Sequence, residues 1–218
     1  MLLYKMIHPC EPFDDRSKFD GYTRSGTMWQ VGVPQRVNST QEPALCGPSV
    51  IHAYPSVLMA ILVGPFHGYF VDRDLLFKAE GNPVIESQTK VGCRTLTIIE
   101  RIQKPAVASR LVRRQFRVNV ALDLLRATLR PSVFLANPNA FLDALERYLR
   151  GEMQSLSGVE YLRPVDRSLV MTLMEFGKGP IYGETVVAGA IETYLDMAKP
   201  DIDMEAVAQK AFEKALTD

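Results

Sequence analysis

The sequence predicts an α+β protein in which a small, mostly antiparallel β-sheet with one helix is followed by, and packed with, a helical C-terminal half. Two observations lead to this prediction. Up to about residue 105, short apolar and β-branched runs alternate with Pro and Gly, as strands and turns do. Beyond Pro105, apolar residues recur at spacings of three and four, which is the period of a helix packed on one side. We therefore predict a β-rich domain at 1–105 and a helical domain or extension at 106–218.

In the N-terminal half we predict one helix at 55–62, with Pro55 as its first residue, because a helix has no partner for the N–H that proline lacks there. The run 95–99 is dominated by β-branched residues and is too short for a typical helix, so it indicates a strand. Similar short runs, bounded by Pro and Gly, complete the predicted strands: 2–6, 28–33, 49–53, 68–72, 75–79 and 94–102.

In the C-terminal half a long helix is predicted to end at Arg130-Pro131. A second begins at the cap Asn137 and stops at Gly151, and a last one begins at the cap Asp203. Two further helices are predicted at 165–176 and 184–197. The apolar stripe of the long helix, on which it would pack, is Leu111, Val118, Leu122, Leu125 and Leu129.

Composition argues against several classes of protein. The chain has 218 residues, of which 47% are hydrophobic, so it can bury a core and is not a disordered chain. Its 25 basic and 25 acidic side chains cancel, so no overall field holds it on nucleic acid or on an anionic membrane. The longest apolar stretch, 57–66, is about half of the roughly 20 residues that span a bilayer, and 1–6 lack a signal-peptide pattern. We therefore expect a cytoplasmic protein.

The three cysteines, Cys10, Cys46 and Cys93, are odd in number and far apart, which suits neither a disulfide framework nor a zinc site. We expect reduced thiols. No histidine lies in a metal-binding motif, so neither a metal nor a cofactor is predicted. Gly177-Lys178-Gly179 lies between two predicted helices rather than after a strand, so it indicates a turn and not a phosphate-binding loop.

One candidate ligand site is the segment 44–54, where a turn leads into a strand just before a helix. It carries Cys46, His52 and Tyr54. Polar ligands commonly bind where a strand ends before a helix, because free N–H groups and partial positive charge collect there. His52 could then donate a hydrogen bond or act in acid–base chemistry. The alternative is that His52 and Tyr54 alternate onto one strand face as half-buried packing residues.

A second candidate is a basic stripe on the long helix. Arg110, Arg113, Arg114 and Arg117 are spaced i, i+3, i+4 and i+7 and share one helix face. Four guanidinium groups in this arrangement could bind phosphates of a nucleic acid or another anionic partner. The alternative is a solvated face, or salt bridges to the acidic C-terminal segment, because no aromatic residues alternate with the arginines as in a single-strand binder.

The order of four motifs resembles an uncharacterised family of bacterial and phage proteins. The motifs are Gly26 to Gly32 with Trp29 at the centre, Leu45 to Ala53 with its HA dipeptide, Lys90-Val-Gly, and Arg113 to Phe116. This resemblance implies an accessory protein with Trp29, Cys46, His52 and Lys90 at the matching positions. The chain departs from the family pattern at residues 48–50, where Gly is usual, at Tyr54, where Cys or Ser is commoner, and in a tail that is not Ala-rich.

A fainter resemblance is to the ADP-ribosyltransferase type of fold, which implies a role for His52 and Tyr69 in binding a nicotinamide dinucleotide. No well-placed glutamate completes that constellation. Three functions are therefore expected from the sequence. The first is a non-enzymatic interaction protein with a protein partner, or with nucleic acid bound at the arginines; the second is a nucleotide- or NAD-binding enzyme or sensor. The third is a structural component of a virion or another assembly, self-associating through Met153, Met171, Met174 and Met197.

Overall fold

The structure, a computed structural model, describes residues 1–10, 19–23, 26–45, 47–64, 75–103, 110–132, 135–176 and 182–217. The chain forms two compact units, Met1–Ala108 and Ser109–Asp218, which we call the β-rich unit and the helical unit. Strands of the first unit pair in antiparallel fashion and helices make up the second, so the predicted α+β class is confirmed.

The strands in the described part of the β-rich unit are β1 Leu2–Ile7, β2 Gly21–Tyr22, β3 Met28–Trp29, β4 Gln35–Arg36, β5 Ile51–Ala53, β6 Leu75–Glu86 and β7 Val91–Ile102. They form a five-stranded sheet and a two-stranded sheet. The larger has the order β1-β6-β7-β4, with β5 also paired to β7, and the smaller is β2-β3. Helix α1 spans Val57–Val63.

The sheet curls so that the end of β5 returns to β1. Tyr54, just after β5, exchanges two backbone hydrogen bonds of 2.9 Å with Tyr4 of β1. Strand β6 makes this possible, because its register against β7 shifts at three places, including either side of Pro83. Such irregularities bend a strand and increase its twist.

Several predicted elements differ from the observed ones, and the predicted strand at 28–33 is observed only as Met28–Trp29. The predicted strands at 75–79 and 94–102 are parts of a much longer hairpin, because the register shifts let β6 continue through Gly81 and Pro83. Helix α1 begins at Val57 rather than at Pro55, since the Ser56 hydroxyl caps it by accepting from the Met59 N–H at 3.2 Å. The predicted strand at 68–72 lies outside the described residues.

The helical unit contains five α-helices among the described residues: α2 Arg110–Thr128, α3 Pro138–Leu149, α4 Pro164–Phe176, α5 Tyr182–Ala198 and α6 Met204–Thr217. Both predicted caps are confirmed. The Asn137 side chain accepts from the Ala140 N–H at 3.1 Å, and Asp203 accepts from the N–H groups of Glu205 and Ala206. After α3, Gly151 has a φ of +81°, a conformation that glycine adopts at little cost.

Helix α2 is the central helix of this unit and contacts α3, α4, α5 and α6. Every residue from Phe116 to Leu122 is buried, so the prediction of a helix packed on one side was wrong. Of the predicted packed stripe, Val118, Leu122, Leu125 and Leu129 are buried, whereas Leu111 is 76% exposed. Asn119 connects α2 to α6, because its amide donates to the Ala211 carbonyl at 3.3 Å.

A buried carboxylate joins three of the helices. Asp166, in the first turn of α4, is fully buried and accepts from Nε and Nη2 of Arg163 at 2.5 and 2.9 Å. It also accepts from the hydroxyl of Tyr194 on α5 at 2.9 Å, and that hydroxyl hydrogen-bonds Thr128 of α2. Burial is the main cause that raises the pKa of Tyr194 to about 12. None of the helices within the described ranges combines the length and the apolar composition that crossing a bilayer requires.

Candidate ligand site in the β-rich unit

The most unusual side chain of the β-rich unit is Lys5, in the middle of β1. Side chains alternate along a strand, so Lys5 shares a face with Leu3 and Ile7, both of which are core residues. Its partner across the sheet is Phe77 of β6, also a core residue. Lys5 is only 8% exposed. An ammonium group therefore lies where the surrounding strands present apolar side chains.

The Lys5 ammonium makes two specific contacts. It donates a hydrogen bond of 2.6 Å to the backbone carbonyl of His52 on β5. It also lies 5.6 Å from the ring centroid of Trp29, within the range at which an aromatic face attracts a cation. Burial lowers the pKa of Lys5 from 10.5 to about 8, because the charged form loses its hydration in the core. The group remains mostly protonated at neutral pH.

Trp29 is held by the small β2-β3 sheet. Its carbonyl accepts from the Asp20 N–H at 2.8 Å, and Gly21 of β2 is its partner across the two strands. The side chain is 1% exposed. Its indole Nε1 is buried and has no hydrogen-bond partner among the described residues. An N–H donor without an acceptor thus lies in the same core as the Lys5 ammonium.

Cys93 of β7 is the fourth member of this group, and we call Lys5, Trp29, His52 and Cys93 the Lys5 cluster. Cys93 is fully buried and is the partner of Ile51 in the β5-β7 pairing. Burial raises the pKa of its thiol, and the nearby Lys5 charge opposes this only in part. Cys93 is therefore a neutral thiol at pH 7 and not a nucleophilic thiolate.

Strand β5 is placed by a close approach to β7. His52 pairs with Gly92, and a Cβ atom at position 92 would lie 2.7 Å from Cγ2 of Val50 and 2.8 Å from Cγ2 of Ile85. Only glycine leaves room for these side chains. Arg94 also holds the segment before β5, because its guanidinium donates to the carbonyls of Ser39 and Ser49 at 2.8 and 2.9 Å.

The structure brings some of the predicted ligand residues together. Trp29 and His52 belong to the Lys5 cluster, and the buried Tyr54 joins β5 to β1 next to Lys5. Lys90 is buried in the β6-β7 turn, directly before Val91, the partner of Ala53. Cys46 lies outside the described residues, as do Tyr69 and Gly177-Lys178-Gly179.

The arginines of the predicted basic stripe differ in exposure. Arg113 is 5% exposed and Arg117 is 1% exposed, whereas Arg114 is half-buried. The Arg110 side chain is not among those described. A partner that binds at the protein surface requires accessible guanidinium groups, so Arg113 and Arg117 do not offer it a surface in this structure.

The described parts of the chain contain no group of three or more His, Cys, Asp or Glu side chains that could hold a metal ion. Neither Cys10 nor Cys93 forms a disulfide within the described residues. A scan against protein-family models, a search of curated proteins and a search of solved structures found no match. The family resemblances in the sequence therefore stay predictions.

Sequence reasoning missed Lys5. Both faces of β1 are apolar apart from this residue, with Tyr4 and Met6 on one side and Leu3 and Ile7 on the other. A lone lysine in such a strand is normally assigned to the solvent face. The sequence does show that Lys5 is the single charged residue of an otherwise apolar strand. It does not show which side of the strand faces the core, because that depends on pairing with a strand far away in the chain.

Proposed function

We propose that this chain is a binding protein for a small anionic molecule, which the β-rich unit holds at the Lys5 cluster. The observation that carries the proposal is the inward position of Lys5 among Leu3, Ile7 and Phe77. Removing an ammonium group from water costs several kcal/mol unless a counter-charge or strong hydrogen bonds compensate it. No carboxylate within the described residues forms an ion pair with Lys5, so an anionic ligand is a suitable counter-charge.

The proposal keeps part of the nucleotide-binding function expected from the sequence. Nucleotides are anionic, and Trp29 and His52, which the sequence analysis placed at a ligand site, both contact Lys5. The described members of the cluster supply N–H donors, a carbonyl, an aromatic ring and a neutral thiol. This set supports binding rather than a reaction, so a sensor or carrier is favoured over an enzyme.

The test uses the fact that Trp29 is the only tryptophan, so that its fluorescence reports on the β-rich unit. Purified protein is titrated at low salt with anions and their neutral counterparts, such as AMP with adenosine and inorganic phosphate with glycerol. We expect a saturable change in Trp29 emission and a rise in melting temperature with at least one anion, because a ligand that binds only the native state stabilises it. A panel without either effect would refute the proposal.

A second candidate is the macromolecular interaction protein that the sequence analysis placed first. The observation that favours it is Leu111 in the first turn of α2, a large apolar side chain that is 76% exposed. Together with the half-buried Arg114 on the following turn, it could contact a partner protein. We expect Leu111→Glu to abolish capture of such a partner in a pull-down, while the matched change Leu216→Glu on α6 does not. Unchanged capture by Leu111→Glu would remove this candidate.

A further inference from the structure

We infer that the bound group is an oxyanion, a phosphate or a carboxylate, that accepts hydrogen bonds from the Lys5 ammonium and the Trp29 indole N–H at the same time. This inference rests on the proposed function and specifies its chemistry. It assigns the contact atoms on the protein, Nζ of Lys5 and Nε1 of Trp29. On the ligand, it assigns the oxyanion as the group that is recognised.

The number of hydrogen-bond donors leads to this inference. An ammonium group has three N–H donors, and the described residues give Lys5 one hydrogen bond, to the His52 carbonyl. Nε1 of Trp29 is a fourth donor, and it is buried without a hydrogen-bond partner in the described part of the chain. Buried donors are almost always paired in folded proteins, because an unpaired donor has lost the hydrogen bond that it makes with water in the unfolded chain. The cluster is therefore complementary to a group with several acceptor atoms.

Charge selects among such groups. The Lys5 ammonium is a full positive charge in an apolar core, and a carboxylate or phosphate oxygen would both accept its hydrogen bonds and balance its charge. A neutral carbonyl would accept the hydrogen bonds but would not balance the charge. Nζ of Lys5 lies 5.6 Å from the centroid of the Trp29 ring, which carries Nε1, so the two residues belong to the same part of the core.

Burial also indicates which part of a larger ligand is recognised. The Trp29 ring is 1% exposed and its Nε1 is buried, so the ligand group that meets Nε1 has to enter the core, which suits a small oxyanion better than a nucleobase. His52 of β5 is half-buried and is the most accessible member of the cluster. A nucleotide would therefore be recognised through its phosphate, and inorganic phosphate or a small carboxylate would share the same contacts.

The experiment measures dissociation constants by calorimetry for inorganic phosphate, acetate and AMP, in the wild type, Lys5→Met and Trp29→Phe. Lys78→Met is the matched control, because Lys78 is a partly exposed lysine of the same sheet that pairs with Glu100. Hydrogen bonds to charged groups contribute roughly 1.5–3 kcal/mol, so we expect Lys5→Met to weaken binding by about tenfold or more. Trp29→Phe should weaken it severalfold, and Lys78→Met should have no effect.

A second measurement does not depend on the variants folding. The single tryptophan gives one indole N–H resonance in ¹⁵N-labelled wild-type protein, and we expect it to move downfield on titration as Nε1 gains an acceptor. If Lys5→Met weakens binding of a probe but Trp29→Phe does not, and the indole resonance does not move, the inference is wrong while the proposed function stands. If a probe binds equally well to Lys5→Met, both are wrong. If no probe binds the wild type at all, both are wrong.

Discussion

Lys5 carries a positive charge at a position where its neighbours on the same face of β1, Leu3 and Ile7, are core residues. The contacts with the His52 carbonyl and the Trp29 ring recover part of the hydration that the ammonium loses. The remaining cost is visible in the pKa of Lys5, which burial lowers to about 8. A residue that weakens the fold in this way is a good candidate for a functional one.

The lowered pKa predicts how stability depends on pH. Below pH 8 the folded and unfolded states both hold the Lys5 proton, so the cost of burying the charge is fully present. Between pH 8 and pH 10.5 the folded state releases the proton while the unfolded state keeps it, so the Lys5 contribution to the free energy of unfolding rises with pH. The shift corresponds to about 3 kcal/mol.

Lys5→Met removes this dependence and should be more stable than the wild type at pH 7, since a methionine of similar volume has no charge to desolvate. Urea unfolding of both proteins at about pH 7 and about pH 10 tests this, because the other titrating groups are common to both proteins. The stability advantage of Lys5→Met should shrink at the higher pH. An advantage that is the same at both pH values would contradict a buried, titrating Lys5.

At the scale of single elements, the position of helix α4 depends on a carboxylate in its first turn that residues outside the helix contact. Asp166 lies in the first turn of α4, where a negative charge also interacts favourably with the helix dipole. It accepts hydrogen bonds from Arg163 before the helix and from Tyr194 on α5. Helices α4, α5 and α2 are therefore connected through one buried acid.

Asp166→Asn is expected to lower the free energy of unfolding of the helical unit by about 2–3 kcal/mol, because it replaces charge-assisted hydrogen bonds in the core with weaker ones. Urea unfolding followed by far-UV circular dichroism gives this value, since five of the described α-helices lie in the helical unit. The control is Asp143→Asn, the same substitution at an exposed position of α3, which should change stability little. Equal effects of the two variants would show that the Asp166 contacts contribute little.

At the scale of the whole molecule, each of the two units has its own core. The core of the β-rich unit includes Leu3, Trp29 and Phe77, and the core of the helical unit surrounds α2. We therefore expect the loss of stability caused by Asp166→Asn to appear in the unfolding transition followed by circular dichroism, but not in the transition followed by Trp29 fluorescence. Coincident shifts of both transitions would show that the two units unfold as one cooperative body.

The parts of the fold that local chemistry controls could be predicted from the sequence. The caps Asn137 and Asp203 act through hydrogen bonds to N–H groups two or three residues away, and Gly151 ends α3 because of its own φ. The α+β class follows from a change in hydrophobic period that is written into consecutive residues. Each of these features depends on interactions within about one helical turn.

The inward face of β1, the burial of Arg113 and Arg117 and the exposure of Leu111 could not be predicted in the same way. All of them depend on contacts between residues far apart in the chain: β1 pairs with β6 some 70 residues later, and α2 is enclosed by helices that follow it. A periodic pattern shows that a segment has two faces. The distant segments that cover the strand or helix decide which of its faces is buried. They therefore also decide that a lysine and a tryptophan meet in one core.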